Sequence, residues 1–311
     1  MCHHPALSGG RARARCPRPS SYLTIACMPT DTALRAMPSV VLNKSSSLMS
    51  PPAEVFYPHR AVAAEFIGTC IFVMTSVLAV SSAVVGNADA DSKVLLIATA
   101  FGVSLIVVIY SCAGVSGGHI NPAVTLALAL AGHIDPIMAV AYGVAQCLGA
   151  ILGAALADGI VPTVAGALSL GPNVTLGAGF LAEVVGTAFL VMTVFSTAVQ
   201  TSRGRSTPDK DSLRAQAPLV IGMSVWATHL ALIGVTGCGI NPARWLGTFV
   251  VLKFWEQAAW TQAWIYIVGP IIGACLALVG QVVLYGDVRP NDGAVVVVAT
   301  PTAATKTAKS P

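Results

Sequence analysis

The chain is predicted to be an all-α membrane protein, with six transmembrane helices and two re-entrant half-helices arranged as an inverted repeat. Three observations predict it. Of the 311 residues, 55% are hydrophobic and only 10% charged, with a mean hydropathy of +0.76; soluble domains carry about 25% charged residues. Six apolar segments have the length of about 20 residues that an α-helix needs to cross a bilayer. The second half of the chain repeats the first in register. Such a composition excludes a disordered, nucleic-acid-binding or ordinary cytosolic protein, because too few charges are available to cover the apolar surface in water.

Residues 1–59 are rich in Pro, Ser and Arg, lack helical periodicity and read as a disordered tail. Their Arg-rich, acid-poor start leaves two readings open. One is an organellar transit segment; the other is a cytosolic tail, with Met28, Met37 and Met49 as alternative start sites. The spans that follow are Ala61–Val84, Val94–Ala113, Ile137–Ala157, Leu176–Ala198, Ala217–Val235 and Ala263–Tyr285. Two apolar stretches, Asn121–Ala131 and Asn241–Leu252, are too short to cross. Residues 287–311 form a C-terminal tail. The eight Cys show no metal-ligand spacing and lie mostly in apolar runs, so neither a metal site nor a disulfide framework is expected.

Charge bias sets the orientation. Seven of the 17 Lys and Arg lie in the first 60 residues, and Arg203, Arg205, Lys210 and Arg214 cluster in the 200–216 loop. The connections on the other side, 85–93 and 158–175, hold one base, Lys93, against Asp89, Asp91 and Asp158. The positive-inside rule then places both termini and the 200–216 loop in the cytoplasm. Ser206, three residues after Arg203, stands in a context suited to a kinase. The Asn-x-Thr triplet at Asn173 falls in an outer loop.

The repeat is specific. Ala64-Glu65-x-x-Gly68-Thr69 matches Ala182-Glu183-x-x-Gly186-Thr187 at an offset of 118. Ile120-Asn121-Pro122-Ala123 matches Ile240-Asn241-Pro242-Ala243 at 120, as Gly149 and Gly153 match Gly269 and Gly273. Three spans per half is an odd number, so the second half is inverted relative to the first. Asn is a strong N-cap and Pro is favoured at the first helical position, so each Asn-Pro-Ala triplet starts a half-helix. The Gly-rich strand before it is irregular backbone, tolerated at membrane depth only where protein buries it or water lines it. Inversion brings the two half-helices N-terminus to N-terminus near the midplane, where their dipoles oppose cations and protons.

With both Asn-Pro-Ala boxes, both Ala-Glu-x-x-Gly-Thr segments and Gly269-Pro270 in the last span, the sequence resembles the aquaporins of the major intrinsic protein family over about residues 60–286. The resemblance implies a channel domain with halves at about 60–165 and 176–286. It also implies a homotetramer with one pore per subunit, water as the permeant, membrane lipid around it and no cofactor. Placement is integral to the membrane, the plasma membrane being favoured. The family's constriction falls by register on Phe101, His229, Cys238 and Arg244, a set similar to that of the water-selective members. Glycerol channels replace the His with a small residue. Cys238 is expected to face the pore, where mercurials would block it.

The residue chemistry agrees. His229 supplies bulk and a hydrogen-bonding nitrogen, Phe101 an apolar wall, and Arg244 a fixed charge with several donors. An Arg inside a span costs at least ~2.5–3.5 kcal/mol and is a functional candidate by default. Glu65 and Glu183, the only acids well inside spans, are expected to brace the loops before the half-helices, joined by His119 and Gln146. Trp245, Phe249 and Ile267 depart from the water-channel pattern and are expected to support the pore wall from behind, where they would widen it.

Other readings predict different behaviour. A pore for glycerol, urea, ammonia or hydrogen peroxide shares the fold. An ion-coupled transporter also uses broken helices, with Glu65 and Glu183 as carriers. An enzyme is disfavoured, because the spans show no pairing of a nucleophile with a base.

Overall fold

The computed structural model describes residues 58–162, 166–199 and 210–286, and among them helices account for all regular structure. In chain order these are α1 (Pro58–Val85), α2 (Ala90–Ser116), α3 (Pro122–Leu130), α4 (Pro136–Ile160) and α5 (Leu176–Val194). A π-turn, Phe195–Val199, continues α5 and precedes α6 (Lys210–Thr236), α7 (Pro242–Leu252), α8 (Gln257–Ala263) and α9 (Ile265–Tyr285). Six of them are long and apolar enough to cross a membrane. α3 and α7 are the two short stretches read from the sequence. The N-terminal tail up to 57, the residues after 286, and Arg203, Arg205 and Ser206 lie outside the described residues.

The helices overrun the apolar segments because their first turns are polar and capped. Asp89 caps α2 by accepting from the Ser92 backbone N–H at 3.0 Å, so the helix starts four residues before Val94. The Ser92 hydroxyl and then its backbone N–H hold the Asp89 carboxyl below its ordinary pKa. Asp135 caps α4 through the N–H groups of Ile137 and Met138. α8 was not legible from hydropathy, being a single short polar helix that turns the chain between α7 and the last span. Asn173 is exposed and takes a left-handed φ of 63°.

Packing follows the repeat. α1 lies on α4 as α5 lies on α9, and α2 meets α6. A Cβ on Gly149 or Gly153 would strike the backbone oxygens of Phe66 or Cys70 on α1. A Cβ on Gly273 would strike the Val184 oxygen on α5, and one on Gly269 the Glu183 side chain. Small residues that let backbones approach this closely are how helices associate inside lipid, where burying apolar surface gives no drive. The bundle therefore closes around α3 and α7 and holds their N-termini together.

Candidate functional site

Each half-helix is started by its asparagine. Asn121 Oδ1 accepts from the Ala123 N–H at 2.9 Å; Asn241 Oδ1 accepts from the N–H groups of Ala243 and Arg244 at 3.0 and 3.3 Å. The amide nitrogens then cross between the halves. Asn121 Nδ2 donates to the Ile240 carbonyl at 2.8 Å and Asn241 Nδ2 to the Ile120 carbonyl at 2.9 Å. The structure thus brings the two triplets together, N-terminus to N-terminus.

The preceding loops are strained and braced. Ile120 and Ile240 have φ of 55° and 44°, a region β-branched residues avoid and that costs about 1–3 kcal/mol each. That turn sends each Ile carbonyl to the opposite asparagine and each N–H to a buried glutamate. Ile120 N donates to Glu65 Oε2 at 2.7 Å and Ile240 N to Glu183 Oε2 at 2.6 Å. Glu65 also accepts from the Ser116 hydroxyl, the His119 N–H and Gln146 Nε2. Glu183 accepts from the Thr236 hydroxyl and the Gly239 N–H. Tyr142 and Tyr266 donate to the carbonyls of Ser116 and Thr236. His119 Nδ1 lies 3.2 Å from Thr125 Oγ1, and Gln146 Nε2 donates to the same hydroxyl at 2.9 Å.

Of these partners, Ser116, Thr236, Thr125 and Tyr142 were given no role from sequence, and Ile120 and Ile240 only a place in the repeat. The offset of 120 that relates Ser116 to Thr236 was the available signal.

Beyond the asparagines is a throat of about 20 Å³, walled by Phe101, His229, Arg244, Asn121, Asn241 and the Gly239–Ile240 backbone. That is room for about one water molecule. Phe72, Leu105, Leu190 and Val225 complete an apolar side; none of these was anticipated, since an apolar residue in a span carries no mark of its facing. The Phe101 and His229 rings stack at 4.2 Å, Phe72 meets Phe101 edge-on at 5.8 Å, and the Arg244 guanidinium carbon lies 5.1 Å from the Phe101 centroid. Leu105 and Leu190 also line a wider chamber of about 310 Å³ on the α3 side, with His119, His133 and Arg214 in its wall. Throat and chamber are therefore consecutive.

Polar atoms at the throat are incompletely paired. His229 Nδ1 is 2.9 Å from the Val225 carbonyl, an acceptor only, so the assigned tautomer carries its proton there and leaves Nε2 as an acceptor. His229 Nε2, Arg244 Nε and Arg244 Nη1 are all buried without a partner. One unpaired acceptor and two unpaired donors thus belong to residues that line the throat.

The remaining predicted positions differ. Cys238 is fully buried and is not among the throat-lining residues. Its φ of 58° and the bond from its N–H to Thr236 Oγ1 set its backbone in the braced loop, directly before the Gly239–Ile240 segment that lines the throat. Trp245 and Phe249 stack at 4.8 Å and Trp245 runs parallel to Tyr266 at 6.4 Å, in a separate buried cluster. Ile267 is on the exposed face of α9. None of the three lines the throat.

A family model described as "Major intrinsic protein" matches residues 54–280. The chain belongs to this family. Curated relatives within reach include "Aquaporin PIP2-4" of Oryza sativa subsp. japonica, 44% identical over 254 residues, covering 75% of this chain and 87% of the relative. "Probable aquaporin PIP1-4" of Arabidopsis thaliana is 43% identical over 249 residues, covering 75% and 85%. Among solved structures, the aquaglyceroporin from Plasmodium falciparum superposes with a TM-score of 0.62 at 22% identity, covering 72% of this chain and 96% of that one; this likeness speaks to the fold. As a member of the family, the chain is an integral membrane protein, and six helices among its described residues are long and apolar enough to cross a bilayer.

Proposed function

We propose that the protein is a plasma-membrane water channel, driven passively by osmotic gradient and closed to ions and protons. The observation that carries it is the throat. Its volume of about 20 Å³ suits a single file of water, and the unpaired His229 Nε2 and Arg244 donors replace the hydrogen bonds water leaves behind. A cation entering the throat meets the Arg244 charge and two half-helix N-termini without regaining its hydration. Aquaporin-type pores are themselves the known instance of such a barrier. The relatives named as plant aquaporins support the same permeant.

Glu65 and Glu183 act as braces rather than carriers in this reading. The oxygens of each accept hydrogen bonds from the loop before its half-helix, which supports a fixed scaffold. The channel domain spans residues 60–286 with cytoplasmic tails on both sides, and four copies assemble with one pore each. Phe101, His229 and Arg244 set selectivity at the throat, with Cys238 packed beside them.

Stopped-flow light scattering of proteoliposomes tests the reading. Fast shrinkage in sucrose, with glycerol as effective an osmolyte as sucrose, is the expected result. Rapid re-swelling in glycerol would establish a polyol pore instead. Saturable flux that depends on pH or sodium and fails in Glu65→Gln would establish a coupled transporter.

A further inference from the structure

Four of the five tryptophans fall within 20 residues, at 245, 255, 260 and 264, together with Phe249 and Phe254. All but Trp264, which meets Phe180 at 5.3 Å, form one connected cluster. Trp245 lies on Phe249, Phe249 meets Trp260 at 4.6 Å, and Phe254 meets Trp255 at 5.0 Å and Trp260 at 5.5 Å. The inner end is buried, one residue from Arg244. The outer end is not: Trp255 is 92% exposed and Trp260 48%, and Trp264, four residues after Trp260, is 41% exposed. Nothing in the pore reading uses this surface.

Its position identifies what covers it. Trp264 stands at the start of α9, whose exposed face runs through Ile271, Leu276, Val279 and Val283 to Tyr285. From Trp264 to Tyr285 is 21 residues, about 31 Å at 1.5 Å per residue, the hydrocarbon thickness of a bilayer. The exposed aromatics at the two ends of this apolar stripe thus sit one hydrocarbon core apart, at the depth where amphipathic rings collect. Beside Trp255, Lys253 and Glu256 form an ion pair on the polar side of the same turn. Trp260 donates its indole N–H to the Phe254 carbonyl at 3.0 Å, which fixes the turn as a preformed surface.

We propose that Trp255, Trp260 and Trp264 form a docking surface for the glycerol–carbonyl layer of phospholipids, through which the bilayer holds the far end of α7. The proposal needs only that α9 crosses the membrane, and so stands apart from the identity of the permeant.

Tryptophan quenching in phosphatidylcholine vesicles tests it on the full chain. Lipids carrying a nitroxide at the headgroup, at acyl carbon 5 or at acyl carbon 16 are compared, in wild type and in Trp255→Phe. The expected result is a component quenched by the two shallow labels and spared by the deep one, which Trp255→Phe removes. Trp255→Tyr serves as a second difference pair should Trp255→Phe not fold. Quenching of that component by aqueous iodide with no response to nitroxide lipid would overturn the proposal, the surface then facing water. So would insensitivity to both, the result for a face covered by a second copy or another protein. The swelling assay is unaffected by either outcome, so failure here is distinguishable from failure of the channel reading.

Discussion

His229 is held by Val225 one turn earlier on α6, and that single bond decides what its other nitrogen offers the throat. With Nδ1 protonated, Nε2 accepts, while Arg244 donates across the same small volume. Removing the ring enlarges the throat and deletes the acceptor. His229→Ala is therefore expected to keep water flux and raise glycerol flux at least about tenfold, equivalent to ~1.4 kcal/mol off the barrier; re-swelling rates in glycerol check this. Arg244→Val deletes the fixed charge but leaves both half-helix dipoles. A measurable proton or cation leak is expected, smaller than in an unprotected pore, and a pH-sensitive dye trapped in vesicles reads it. His229 and Arg244 were legible in sequence because a His and an Arg stand out in apolar surroundings. Phe72 was not, being one apolar residue among many on α1.

At the level of elements, the helices within each half meet where small residues let their backbones touch. On α9, Gly273 faces the Val184 backbone with no room for a Cβ, while Gly280 has only the tip of Met192 at 3.9 Å. Gly273→Leu is expected to cost at least about 3 kcal/mol, because a rigid backbone cannot give way as a side chain does. Gly280→Ala is expected to be neutral or to stabilise by up to ~1 kcal/mol through helix propensity. Unfolding midpoints in detergent separate the two. The braced loops make a second prediction. Glu183→Gln replaces one carboxylate oxygen with a donor that must face the N–H of Gly239 or Ile240. A loss of ~1–3 kcal/mol is expected, together with slower water flux as the Ile240 turn relaxes. Thr236 and Ser116 belong to these braces; their matched position in the repeat was visible, their role was not, since a hydroxyl beside glycines reads equally as loop surface.

For the whole molecule, every chain carries a complete throat: Phe101, His229 and Arg244 all come from one copy. If four copies assemble with a pore each, co-reconstituting wild type with a throat-blocked chain should lower water flux in proportion to the blocked fraction. A fall steeper than proportional would mean that the conducting path is shared between copies. The inverted relation of the halves was readable from sequence because two glutamates and two Asn-Pro-Ala triplets recur in register. That α8 turns the chain between α7 and α9 was not, because seven residues carry too little hydropathy to mark a helix.

Sequence alone determined the six spans, the inversion of the halves, the two sites where half-helices begin, and the buried arginine beside one of them. Each of these depends on local chemistry: runs of apolar length, an asparagine that caps, a proline that starts a helix. The tertiary structure decided which carbonyl each asparagine reaches, which nitrogen of His229 faces the throat, and how much space is left there. It also gathered Trp245 and Phe249 into a buried aromatic cluster outside the throat lining. The asparagine contacts join residues about 120 positions apart, and the space of the throat exists only once α2, α6 and α7 have packed.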